Sequence, residues 1–196
     1  MELERRLQIA RDAYLRFFIE KLGELKHSHP ECATELLVEL NSATNPRPFS
    51  LVRLDAIHGP SSAPQVSRIA FNCDAERPRL RLQHNRVAVE LGGVSWEEVS
   101  ISFEASQFDL SRLGSWLSRW IDEIDERATD ESGLIGVIHS ISWDSSPNGR
   151  WRISIDFGSA PVECAVEFID ELQRQGVEAC VIETEGEVRP EGPARE

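Results

Sequence analysis

The stretch Leu134-Ile-Gly-Val-Ile-His-Ser-Ile-Ser-Trp-Asp-Ser-Ser-Pro-Asn-Gly-Arg-Trp-Arg-Ile-Ser-Ile-Asp-Phe157 decides the fold. Ile135, Val137, His139, Ile141 and Trp143 recur at every second position, and so do Trp151, Ile153, Ile155 and Phe157. A period of two marks a strand with one buried face. Between the two runs, Asp144 to Gly149 contains Pro147-Asn148-Gly149, residues that favour turns. The pattern predicts an antiparallel hairpin over 134–157. Matching the apolar faces sets Trp143 opposite Trp151, Ile141 opposite Ile153, His139 opposite Ile155 and Val137 opposite Phe157. A slip of one residue would turn every apolar side chain to the wrong face.

Outward from the hairpin the period changes. Val162, Ala165, Val166, Ile169 and Leu172 follow helical spacing over 161–175, with Pro161 near the first turn and Gly176 after the last. A final strand is expected at 177–183. Upstream, 109–127 reads as a helix capped by Asp109 or Ser111, with Leu110, Leu113, Trp116, Leu117, Trp120, Ile121 and Ile124 as its buried stripe. Strands are expected at 49–57 and 65–72, around Leu80 and Leu82, from Val87 to Leu91 and from Val99 to Phe103. Residues 2–25 form an amphipathic helix by spacing. Ser28-His29-Pro30-Glu31 reads as the start of a second helix, with Ala33, Leu36, Leu37 and Leu40 on one face.

These elements imply an α+β protein: an N-terminal helical hairpin, a largely antiparallel sheet of six to eight strands, and two amphipathic helices packed on it. The organisation is a helical hairpin or arm at 1–48, an α+β domain at 49–184, and a disordered acidic tail at 185–196. Trp96-x-x-Val99-Ser-Ile-Ser-Phe103 before one helix resembles Trp151-x-Ile153-Ser-Ile-Asp-Phe157 before the other. Tandem ββα units account for that likeness, and so do two amphipathic units shaped by the same physics.

The net charge is −13 and unevenly spread: residues 108–196 hold 8 basic and 19 acidic side chains. Such a field disfavours nucleic acid, whose binding rests on neutralised phosphates, and disfavours anionic membrane surfaces. It accelerates encounter with a basic protein. No apolar run approaches the roughly 20 residues of a membrane span. Met1 to Arg11 mixes Glu and Arg with spaced Leu, unlike a signal peptide, so a cytoplasmic location is expected. Cys32, Cys73, Cys164 and Cys180 make no CxxC pair and are expected to be free thiols, with Cys164 and Cys180 in the core. No dinucleotide fingerprint, phosphate-binding loop, nucleophile elbow, HExxH or EF-hand loop occurs, so no cofactor is expected. His27-Ser28-His29-Pro30-Glu31-Cys32 offers ligand types but no fourth ligand nearby, and no metal centre is assigned.

Two acidic clusters break local rules. Glu163, Glu167 and Glu171 recur at i, i+4 with Asp170 beside them, a spacing at which like charges repel. Asp122, Glu123, Asp125 and Glu126 crowd the end of the predicted helix at 109–127, against its dipole. Residues that break local rules mark candidate functional sites. The expectation is an acidic protein-binding module for a basic partner, most concretely an immunity-type inhibitor of a basic toxin. A secretion chaperone or an assembly subunit shares this chemistry, and the N-terminal helix offers a face for a homodimer. The rival class is an enzyme without a familiar motif, in which His139, His58 or His84 meets a carboxylate or Cys73. Against it, His139 reads as a hydrogen-bonded core residue, Asp144 as a turn residue and Asp156 as solvent-facing, so no catalytic residue is assigned.

Overall fold

The computed structural model describes residues 2–40, 50–71 and 78–184. The expected tail at 185–196, the turn at 41–48 and Cys73 lie outside the described residues. Among these residues the architecture is α+β, with three α-helices, a three-stranded sheet and a six-stranded sheet.

Helix α1 spans Glu2–Ser28, with Glu2 and Glu4 in its first turn and Lys26 and His27 in its last, both favourable to the helix dipole. It stops just before Pro30, whose ring disfavours helix in the residue that precedes it. Leu3, Leu7, Tyr14, Phe18 and Leu22 are buried in the same core as the sheet residues. Arg11 fixes the docking, with Nε donating to the Ala160 carbonyl at 2.7 Å and Nη2 to that of Ser159 at 3.1 Å.

The expected second helix is not formed. Ala33–Glu39 is strand β1, paired antiparallel with β2 (Leu51–His58), which also pairs with β3 (Gln65–Ser67). Ser28, expected as a cap, instead donates to the Glu24 carbonyl inside α1. Thr34, Leu36 and Val38 satisfy their backbone across the sheet, and that non-local pairing overrides the local capping signal.

The larger sheet runs β4 (Leu80–His84), β5 (Val87–Leu91), β9 (Ala179–Glu183), β6 (Val99–Glu104), β8 (Arg150–Asp156), β7 (Ser140–Ser145). All neighbours are antiparallel except β5 and β9. Helix α2 (Gly114–Ile121) follows a 3₁₀ turn at Leu110–Leu113 capped by Asp109, and α3 (Val162–Arg174) carries the chain from β8 over to β9. Their apolar faces bury Trp116, Leu117, Trp120, Ile121, Phe168, Ile169 and Leu172. The tandem ββα reading is not realised in the topology. Strands β7 and β8 are neighbours, whereas β9 lies between β5 and β6.

In the hairpin, Ile141 faces Ile155, Trp143 faces Ile153 and Ser145 faces Trp151, two residues away from the expected register. A two-residue shift preserves which face each side chain occupies. Its cause is the turn. Ser146 N–H donates to the Arg150 carbonyl and Gly149 N–H to that of Ser146, leaving a three-residue loop with Gly149 at φ +76°. The strand also starts later than expected, because Gly136, at φ +77°, interrupts the extended run before Ser140.

Candidate functional site

The second acidic cluster is not on a helix. Helix α2 ends at Ile121, with Asp122 in the left-handed region at φ 56° and Asp125 there as well at φ 55°. Residues 122–126 form a loop wrapped around the guanidinium of Arg53 from β2. Arg53 is 4% exposed. Its Nε donates to the Ile121 carbonyl at 2.7 Å, Nη2 to the Asp122 carbonyl at 2.8 Å, and Nη1 to Asp125 Oδ1 at 2.8 Å and to the Glu35 carbonyl at 2.8 Å. Asp122 Oδ2 lies 3.4 Å from Nη2 and also accepts the Arg127 N–H at 3.0 Å. A buried, fork-shaped cation thus satisfies helix-end carbonyls and two carboxylates together.

This geometry corrects the expected stripe. Helical spacing puts Ile124 on the buried face, but the left-handed turn at Asp122 throws it outward and it is 72% exposed. Glu123, Asp125 and Glu126 surround it in sequence, and Glu123 accepts the Ser118 hydroxyl at 2.6 Å. An apolar side chain stands exposed on a loop with two left-handed residues, flanked in sequence by carboxylates.

The α3 cluster keeps its outward face, with internal partners. Glu163 is exposed. Glu167 accepts Trp120 Nε1 at 2.9 Å and pairs with Arg119 at 2.5 Å, and the guanidinium groups of Arg119 and Arg127 lie 4.6 and 5.2 Å from the Trp120 ring. Asp170 bonds His84 Nε2 at 2.9 Å and Asn85 at 3.0 Å, while Glu171 pairs with Arg174 at 3.0 Å. The Arg119–Glu167 pair is exposed and contributes little stability, whereas His84 in the Asp170 pair is buried.

The histidines go to three separate places. His84 is the Asp170 partner, and His58 stacks on His29 with ring centroids 4.2 Å apart. His139 is 1% exposed and lies among three carboxylates. Its Nε2 is 2.9 Å from Glu35 Oε1, and its Nδ1 is 2.8 Å from Asp55 Oδ1 and 3.9 Å from Asp156 Oδ2. Glu35 is fully buried, sits in β1 at φ 52°, and also accepts the Ser159 hydroxyl and the Ile135 N–H. Burial opposes the charge on His139, but Asp156, Asp55 and Glu35 together raise it to about 10. Burial pushes Asp156 up to about 6 against the pull of His139. The core histidine is therefore as expected, whereas Asp156 faces a cleft of about 370 Å³ shared with Asp55, Arg68 and Glu97 instead of open solvent. Asp144 faces Arg152 farther along the hairpin and does not meet Asp156.

Sequence reasoning missed Arg53, Glu35 and Asp55. One signal was present: β2 buries Arg53, Asp55 and His58 and leaves Val52, Leu54 and Ile57 half-exposed, an inverted alternation. Cys164 and Cys180 are buried free thiols, as expected, and burial pushes Cys180 up to about 12.

Burial raises Glu97 to about 7 from an ordinary 4.5; Asp156 and Asp55 add to the rise, and the Phe71 N–H at 2.5 Å opposes it. A folded value above the unfolded one means that protonation favours the fold. The contribution is complete below about 4.5 and fades as pH rises through about 7. Glu97→Gln is expected to flatten the stability difference between pH 4.5 and 7, read from paired urea titrations.

No helix among the described residues is long and apolar enough to cross a membrane. Set beside protein-family models, curated proteins and solved structures, the chain matches none of them.

Proposed function

We propose that this chain is a cytoplasmic, acidic protein-binding module that docks a basic protein through the Asp122–Glu126 loop and the outer face of α3. Its most concrete form is an immunity-type inhibitor that occludes a cationic toxin. The observation that carries the reading is Ile124, 72% exposed on a loop pinned by a buried arginine. Interfaces concentrate their energy in a few apolar or aromatic anchors ringed by polar groups. A pre-formed loop loses little entropy on docking. The charge of −13 supplies steering toward a basic surface.

The test is affinity capture from native lysate at about 50 mM and about 500 mM salt, a range that shortens the Debye length severalfold. A stoichiometric basic partner is expected at low salt, with recovery falling steeply at high salt. Glu126→Lys and Glu163→Lys alter exposed side chains. Together they are expected to reduce recovery further while leaving the urea midpoint unchanged. A partner of neutral or acidic charge, or recovery indifferent to salt and to both variants, contradicts the reading.

A further inference from the structure

We infer that Asp55, His139 and Asp156 form a binding site for a first-row transition-metal dication, independent of the docking loop. The three side chains come from β2, from the residue preceding β7 and from the last residue of β8. Backbone bonds fix their spacing: His139 N–H donates to the Asp156 carbonyl at 2.8 Å, and Arg53 N–H to the His139 carbonyl at 2.7 Å. One ligand atom from each residue lies within 4.8 Å of the others.

The orientation of each group points to the same spot. Asp55 Oδ2 is held by the Ile69 N–H at 2.6 Å and Asp156 Oδ1 by the Gly158 N–H at 2.9 Å. Their other oxygens, Asp55 Oδ1 and Asp156 Oδ2, turn toward His139 Nδ1. Glu35 engages Nε2, the arrangement in which a carboxylate orients a metal-binding imidazole. His139 Nδ1 is buried and makes no hydrogen bond, because Asp55 Oδ1, though 2.8 Å away, lies off the line of the ring N–H. Adjacent ligands on one ion stand at such separations: at metal–ligand distances of about 2.1 Å they are about 3.0 Å apart at an octahedral angle and about 3.4 Å at a tetrahedral one, between the 2.8 and 3.9 Å from Nδ1 to the two carboxylates.

Charge supports the assignment. Glu35, Asp55 and Asp156 surround one imidazole. Of the two arginines lining the cleft, Arg53 directs its guanidinium to the Glu35 carbonyl and the 122–125 loop, which leaves Arg68. Three carboxylates thus face one imidazole and one arginine, and a dication that displaces the imidazole proton adds one net positive charge to that balance. One imidazole with two carboxylates suits Zn²⁺ or Mn²⁺ better than Ca²⁺ or Mg²⁺. The cleft of about 370 Å³ leaves room for waters to complete the coordination.

The experiment titrates Zn²⁺ alone into the chelator-treated full chain by calorimetry, beside Asp156→Asn. One equivalent is expected to bind wild type, with affinity reduced at least about tenfold in the variant. X-ray absorption of the wild-type zinc complex reads the same question without any variant: nitrogen and oxygen ligands near about 2.0–2.1 Å, and no sulfur near about 2.3 Å. Absence of one-to-one binding, sulfur ligation, or equal affinity in a folded Asp156→Asn protein overturns the site.

Discussion

Arg53→Met will lower the stability of the fold by about 3–5 kcal/mol, the cost of removing one partner from a buried charge network. The substitution keeps most of the aliphatic volume, so the loss reports the guanidinium. Without it, the carbonyls of Ile121, Asp122 and Glu35 lose their donor, and Asp122 and Asp125 lose their counterion. Urea unfolding measures the loss, and amide exchange locates it in residues 122–127. Arg53→Lys should recover only part, because an ammonium retains the charge but cannot address five acceptors from a rigid plane. A loss below about 1 kcal/mol, within the ordinary range of point substitutions, would mean that the loop holds itself.

Gly158→Ala is expected to be comparably damaging, by about 3 kcal/mol or more, through left-handed strain and overpacking together. Gly158 adopts φ +47°, and a Cβ there would stand 2.2 Å from His139 Cδ2 and 2.5 Å from Nε2. The imidazole cannot withdraw without leaving Glu35, and the neighbouring backbone is clamped by Arg11 on Ala160 and Ser159. Gly23→Ala is the control. Among the described residues nothing lies within 4 Å of a Cβ at Gly23 inside α1, so that change should stabilise by about 0.5–1 kcal/mol. Equal midpoints for the two variants would contradict the close approach of Gly158 to His139.

The sequence was most legible where one physical rule dominated. Helix α3 and strand β9 agree with their apolar periods to within two residues. The hairpin kept its faces but not its register, because parity follows from side-chain alternation whereas register follows from turn length. Residues 33–39 misled because capping residues are a local signal, while the pairing of β1 with β2 depends on residues 12 to 24 positions away. Ile124 misled for a related reason: helical spacing runs past Ile121, but Arg53 stabilises a left-handed stop that periodicity does not record. The histidine centre was half visible. His139 read correctly as buried, but Glu35 and Asp55 reach it across 104 and 84 residues, and the approach of β2 to the start of β7 in the other sheet brings them there.

The most direct test of the docking surface is Ile124→Asp in the same capture. The side chain is 72% exposed, so the urea midpoint should stay within about 0.5 kcal/mol of wild type. Recovery of the basic partner should fall by at least about tenfold, the loss expected of an anchor residue. The substitution adds negative charge, so electrostatics alone would strengthen capture; a fall therefore reports the apolar contact. Undiminished recovery by a folded Ile124→Asp protein would show that this loop is not where the partner binds.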